Sequence, residues 1–329
     1  MGRLPGLAGG FKLFEAHDAY QRPFAILEPM AGHRHTVVFE AVVSSSESPS
    51  WADLAAWTEQ WERALHLAGR SGRAKAATVT LESAEATDHD AAVVRVRVGL
   101  SLVPAQRDEL GSTAETGSLI PRLSGALSVL GSGGARPVRA AGLAETVRMA
   151  YDPTVVGFIT ESRLGAGSRL TWRDATAAHV REAWDHVAHD GAVSVSWMLA
   201  DRDGFDAPIV AADWLSPHSM TVRRRVGLLY RWDRSGGLER LGLVATATAL
   251  GKSALQSADS TALAVSGAQR LSLRRAYGAQ APAFAAALPL GLEVPGDLRL
   301  PLPVRAWQQS RSAKARRGRT FARGARSAR

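Results

Sequence analysis

Apolar and polar residues alternate with a period of two over 24–28 and 36–43, which predicts two strands with one face buried. Ser48-Pro49-Ser50 then supplies helix-start chemistry, and Leu54, Trp57, Trp61, Leu65 and Ala68 recur at steps of three and four until Gly69. That spacing puts them on one side of a helix, so they form a core-facing stripe. A strand is predicted over 76–81, an acidic turn over 82–90, and a second alternating run in which Val94, Val96, Val98 and Leu100 face one way and Arg95 and Arg97 the other. Leu119, Leu123, Leu127 and Leu130 make the next helical stripe, with Pro121 expected in its first turn, before a glycine-rich break and a strand over 136–140. The order is β-α-β-β-α-β.

The second half gives the same order: strand 192–200, a short helix near 209–215, strands 221–232 and 241–249, helix 259–269 and strand 271–277. A β-α-β-β-α-β run packs two helices on one face of a sheet. The chain is therefore expected to be α+β, built as two ferredoxin-like β-α-β-β-α-β lobes followed by a disordered basic tail. The expected divisions are an N-terminal segment 1–23, a first lobe 24–142, a helical connector 143–191, a second lobe 192–304 and the tail 305–329.

Composition adds limits. A chain of 329 residues, 46% hydrophobic, can bury a sizeable core. With no cysteine it has no disulfide, thiolate metal site, Fe–S cluster or cysteine nucleophile. The start, MGRLPGLAGGFKLF, lacks the apolar core of a secretory signal and the hydroxyl that myristoylation needs, and no stretch approaches ~20 uninterrupted apolar residues. A soluble chain without a transmembrane segment is expected. Of the 40 Lys and Arg, nine lie in 305–329 with no acid among them, which leaves 31 basic and 31 acidic residues in the rest. The net positive charge thus belongs to the tail, through Arg311, Lys314, Arg316, Arg317, Arg319, Arg323, Arg326 and Arg329 with Arg305. Its Ser, Ala and Gly content predicts disorder.

No local motif points to chemistry. Gly251-Lys252-Ser253 resembles the end of a phosphate-binding loop, but Thr246 stands where the first glycine is needed, so it reads as a strand-end turn. Gly131-Ser132-Gly133-Gly134 and Gly165-Ala166-Gly167 lack the third glycine of a dinucleotide fingerprint and read as loops. His186 and His189 could share a zinc ion only with a third ligand from elsewhere; the plainer reading is a polar helix end packed by Trp184 and stopped at Gly191. His33 and His35 read as a hairpin turn with alternate side chains exposed. There is no Gly-x-Ser-x-Gly elbow. Trp57, Trp61, Trp184, Trp197 and Trp214 read as core. The chain is expected to be non-catalytic, with no cofactor or metal.

The most specific signal is a set of segments in the second half: Ala150-Tyr151-Asp152-Pro153; Ala183-Trp184-Asp185-His186 with His189-Asp190-Gly191-Ala192; Arg274-Arg275-Ala276-Tyr277-Gly278-Ala279-Gln280; and Phe284-Ala285-Ala286-Ala287-Leu288-Pro289-Leu290-Gly291. In this order they resemble an actinobacterial type IV secretion and conjugation-associated family, whose longer members carry a PrgI-like membrane-spanning N-terminus. That family is similar to the N-terminal, non-motor region of CagE/TrbE-type ATPases. The likeness runs over roughly 11–298, with strong local matches only after Ala150. The spanning N-terminus is missing from this sequence, the charged insertion before the 242–249 strand is cut to 233–240, and no motor module follows Leu290.

The resemblance implies an accessory subunit, docking on a secretion motor ATPase or an inner-membrane component, cytoplasmic and peripheral at the inner face of the membrane. It assigns docking or structural roles to Tyr151, Asp152, Trp184, Asp185, His186 and Asp190. The alternative is a nucleic-acid- or membrane-surface-binding module, in which the basic tail engages DNA or anionic lipid.

Overall fold

The computed structural model describes residues 11–29, 33–45, 50–85, 92–128, 130, 134–156, 158–159, 170–175, 177–200, 205–216, 222–233 and 235–292. Their strands are β1 (Phe11–His17), β2 (Pro23–Pro29), β3 (His35–Ser45), β4 (Ala74–Glu85), β5 (Ala92–Leu102), β6 (Arg136–Pro137), β7 (Val180–Glu182), β8 (Val187–His189), β9 (Ala192–Ala200), β10 (Val222–Trp232), β11 (Leu238–Ala249) and β12 (Arg274–Arg275). The helices are α1 (Trp51–Gly69), α2 (Glu109–Ala126), α3 (Ala140–Tyr151), α4 (Ala207–Leu215), α5 (Gln256–Ala268) and α6 (Gln280–Ala286).

All twelve strands belong to one antiparallel sheet, ordered β1-β2-β3-β5-β4-β10-β11-β9-β8-β7, with β6 beside β3 and β12 beside β9. This corrects the expectation of two ferredoxin-like lobes. The first run lies in the order β6-β3-β5-β4 and the second in the order β12-β9-β11-β10, and β4 pairs with β10 from Arg224↔Ser83 to Arg231↔Ala76. A free edge strand exposes a row of unpaired N–H and C=O groups. Pairing β4 with β10 satisfies both rows and makes the halves one sheet.

The two faces are covered differently. On one, Val79, Leu81, Val96, Val98, Val226, Leu228, Ala245 and Trp197 meet α1, α2, α4 and α5 in a core that draws on both halves. Ser50 starts α1 with a capping box, its hydroxyl accepting from Asp53 N–H and the Asp53 carboxylate accepting from Ser50 N–H. The stripe of Leu54, Trp57, Trp61, Leu65 and Ala68 is buried. Trp61 Nε1 donates to the Tyr230 hydroxyl at 3.1 Å, tying a helix of the first half to a strand of the second. Asp108 starts α2 earlier than its leucines indicate, so Pro121 lies in the helix interior and not in its first turn.

On the other face lie α3, α6 and the segment 287–292, packed on Val38, Leu27 and Val244. This segment crosses the sheet as a strap. Thr80 donates to the Ala287 carbonyl at 3.1 Å, and Gly227 and Gly99 make room for it: a Cβ would stand 2.8 Å from Ala287 Cα at one and 2.3 Å from the Pro289 carbonyl at the other. Glu82, expected in an acidic turn, lies within β4 and is buried. Arg97 reaches it at 3.0 Å, Arg225 at 3.1 Å and Arg223 at 3.3 Å. Among the described residues no helix is long and apolar enough to cross a membrane.

Candidate functional site

The segments quoted for the family resemblance, apart in sequence, meet beside the β7 end of the sheet, except that only the Phe284 end of the last one lies there and the rest of it is the strap. β7 and β8 are joined by residues 183–186, a tight turn closed by Ala183 N–H donating to the His186 carbonyl at 2.8 Å. The expected helix end is therefore a β-hairpin, with β7 paired to β8 from Val180↔His189 to Glu182↔Val187 and β8 paired in turn to β9. Asp190 and Gly191, at φ 42° and 83°, form the two-residue turn from β8 to β9, the Asp-Gly chemistry that a tight hairpin requires.

Trp184 stands at the tip of the β7–β8 turn. It is 71% exposed and stacks on Tyr277, itself 52% exposed, with ring centroids 6.2 Å apart and planes at 20°. The expected core packing of Trp184 is thus corrected, while Trp57, Trp61, Trp197 and Trp214 are buried. Gly278 N–H donates to the Trp184 carbonyl at 2.7 Å. Gly278 has φ +67°, and a Cβ there would come 2.6 Å from the Trp184 ring, so both backbone and ring require glycine. Arg275 fixes the other side: Nε donates to the Asp185 carbonyl at 3.0 Å, and Nη1 meets Asp259 at 3.1 Å. Its guanidinium also lies over Tyr277 at 5.9 Å and Trp197 at 5.7 Å. The Asp185 carboxylate accepts from His186 Nδ1 at 2.7 Å, and this bond first, with Arg275 nearby, holds its carboxyl below the usual range.

Beneath this surface the remaining predicted residues are bonded to neighbouring elements. Arg148 on α3 reaches Asp190 at 2.6 Å and Asp152 at 2.8 Å, locking the end of α3 to the β8–β9 turn. Asp190 also accepts from the backbone N–H groups of Ala178 and His179 at 3.1 and 2.9 Å. Asp152 caps Thr154 N–H at 3.1 Å. Tyr151 is buried against Phe284, with centroids 4.8 Å apart, and edge-on to His189 at 5.4 Å; burial pushes its phenol up.

His189 Nδ1 donates to the Tyr151 carbonyl, leaving Nε2 to accept from Ser194 at 2.8 Å. Ser194 in turn bonds Thr248 at 2.6 Å. Burial lowers the His189 pKa, which keeps the ring neutral. A serine within reach of a neutral imidazole is the arrangement of an activated nucleophile. Ser194 is 0% and His189 2% exposed, so no substrate atom can approach, and the pair serves to connect α3, β8, β9 and β11.

His186 and His189 lie in a turn and a strand, not on one helix face, and among the described residues no group of three or more His, Cys, Asp or Glu is placed to hold a metal ion. His35, expected exposed, is buried and bonds Thr116 at 2.8 Å. Arg311, Lys314, Arg316, Arg317, Arg319, Arg323, Arg326 and Arg329 lie in 293–329, outside the described residues, as do Gly131–Gly133 and 165–167. Arg148 and Tyr277 complete the site; neither is assigned a role from sequence, although Tyr277 stands in a segment quoted for the resemblance. One would be read as a polar position on α3, and the other gains meaning only when Trp184 is laid on it.

No protein-family model matches the chain, and no curated protein is similar to it. Among solved structures it is similar to 6-hydroxy-D-nicotine oxidase from Arthrobacter nicotinovorans, at 14% identity and a TM-score of 0.29, with 83% of this chain and 46% of that one covered. The chain thus spans less than half the length of that enzyme. The likeness is to an enzyme, so the expectation of a non-catalytic chain is withdrawn. At this TM-score it carries no argument about reaction or cofactor.

Proposed function

We propose that the chain is a docking component of an actinobacterial conjugative, type IV secretion-like apparatus, binding a motor ATPase or an inner-membrane component and sitting peripherally at the inner face of the membrane. The observation that supports this reading is the exposed Trp184–Tyr277 stack, formed where two segments of the resemblance meet. Trp, Tyr and Arg dominate the residues that carry binding energy at protein interfaces. Here all three are fixed before any partner arrives, by Gly278, Asp185 and Asp259, and preorganisation of this kind lowers the entropic cost of association.

The test is capture of the motor ATPase and inner-membrane components of a conjugative apparatus from the same genome on the immobilised full chain. Trp184→Ala and Tyr277→Ala should each weaken capture about tenfold or more. Leu110→Ala, at an 83% exposed residue of α2, should leave it unchanged. A wild-type chain that captures none of these components overturns the reading.

A further inference from the structure

On the face of the sheet that carries α1 and α2, a groove of about 320 Å³ lies between the end of α1, the end of β5 and the second half of α2. Its floor is Leu102 with Ala68 and Leu123, all buried in the core of that face. Leu119 lines it from α2 and Leu67, 36% exposed, from α1. The volume is at the small end of the range for small-molecule sites.

The charge in this groove is of one sign. Arg70 follows Leu67 by three residues and Arg122 follows Leu119 by three, so each guanidinium stands about one helical turn beyond a leucine of the wall. No acid lines the groove, and among the described residues neither arginine has a carboxylate partner. Glu115, one turn before Leu119, is taken: it pairs with Arg73 and accepts from the backbone N–H groups of Ala105 and Gln106 at 2.9 and 3.3 Å. Ser71, the other polar residue of the lining, donates to the Ala68 carbonyl at 2.7 Å and accepts from Arg73 N–H at 3.3 Å. The carbonyls at the end of α1 are engaged as well, His66 by Arg70 N–H and Gly69 by Gly72 N–H. Two guanidinium groups beside four leucines are left for a ligand.

We propose that this groove binds a single-chain amphiphile, its aliphatic chain on Leu67, Leu102, Leu119 and Leu123 and its anionic head, a carboxylate or a phosphate, on Arg70 and Arg122. The guanidinium fork matches both heads. A cationic head is repelled, and a neutral one forms no ion-paired hydrogen bond. The tail over 305–329 holds nine Lys and Arg and no acid, so its charge does not complement the groove. The site shares no residue with the docking surface around Trp184.

Calorimetric titration of the full chain with octanoate, octyl phosphate, 1-octanol and octylammonium holds the aliphatic chain constant and changes the head. At least one of the two anions should bind about tenfold more tightly than 1-octanol, the worth of a charge-assisted hydrogen bond, and octylammonium should bind most weakly. The tighter of the two anions identifies the head. Hexanoate should bind more weakly than octanoate by about fourfold for each methylene removed. Arg70→Gln combined with Arg122→Gln should remove the preference for the anions and leave 1-octanol unchanged. Leu67→Ser should weaken all the octyl probes alike, and Arg63→Gln, exposed on α1 outside the groove, should change nothing. Equal binding of both anions and 1-octanol, no dependence on chain length, unchanged anion binding in the double variant, or no binding of either anion at millimolar concentration overturns the proposal.

Discussion

Glu82 receives three guanidinium groups on one face of the sheet, from Arg97 on the neighbouring β5 and from Arg223 and Arg225 on β10. Burial alone would raise its pKa, but Arg223, Arg225 and Arg97 outweigh that and hold the carboxyl well below the ordinary range. Removing one member of a buried ionic network leaves the others uncompensated and costs about 3–5 kcal/mol. Glu82→Gln should therefore destabilise the chain by that order in urea denaturation. Because the folded-state pKa is depressed, the contribution is complete above the unfolded-state value near 4.5 and declines as pH falls below it; the wild-type loss of stability on acidification should be correspondingly flatter in the variant. Arg224, one position along β10, points to the other face and gives the opposite case. It is 1% exposed, its Nε and Nη1 have no hydrogen-bond partner, and its guanidinium lies over Trp214 at 5.4 Å. Arginine does not shed its charge in a protein, and replacing a buried ion by an apolar side chain of similar volume is often neutral or stabilising by about 1–4 kcal/mol. Arg224→Met should accordingly hold or raise the urea midpoint. Alternation in the sequence separates Arg224 from Arg223 and Arg225, but it cannot say that both faces of β10 are covered.

At the scale of elements, the strap over 287–292 depends on glycines in the strands below it. A Cβ on Gly99 would stand 2.3 Å from the Pro289 carbonyl, whereas one on Gly251 would meet nothing within 4 Å. Overpacking against backbone costs about 1–3 kcal/mol, so Gly99→Ala should lower stability by that amount and Gly251→Ala should leave it unchanged, both read by thermal melting. The strap also explains what the sequence leaves unread. Elements with one apolar face declare themselves by period: α1 through its Leu and Trp stripe, β5 through Val94, Val96, Val98 and Leu100, and β9 and β11 likewise. The residues of α6 and the strap are buried almost without exception, so no period separates helix from strap. β7 and β8 have three residues each and leave no room for alternation. α3 buries Glu145 and Thr146 beside its apolar residues, which blurs its stripe. The Trp184 site is legible as segments, because its glycines and aromatics stand out, but their meeting depends on pairings with β9 and β12 that no segment encodes by itself.

For the whole molecule, the decisive contact is β4 with β10. Each reads as a strand with one apolar face and one bearing polar or charged residues, and such a pattern fixes which side chains point inward without naming the neighbouring strand. Thr80 and Glu82 on one strand and Arg223 and Arg225 on the other suggest a wetted face; it is covered by α3 and the strap instead. Three kinds of interaction then cross between the halves: the β4–β10 ladder, the Glu82 ion pairs, and the Trp61–Tyr230 hydrogen bond within a shared core. Separate lobes would unfold independently. With the halves joined by a sheet, a core and a strap, neither retains its buried surface once the other opens. Urea unfolding followed by tryptophan fluorescence and by far-ultraviolet circular dichroism should give one coincident transition. A fragment ending at residue 142 would expose the unpaired edge of β4 and lose the strap, and it should fail to fold. Two resolved transitions, or a cooperatively folded fragment, would mean that the β4–β10 pairing joins two finished units and does not complete one.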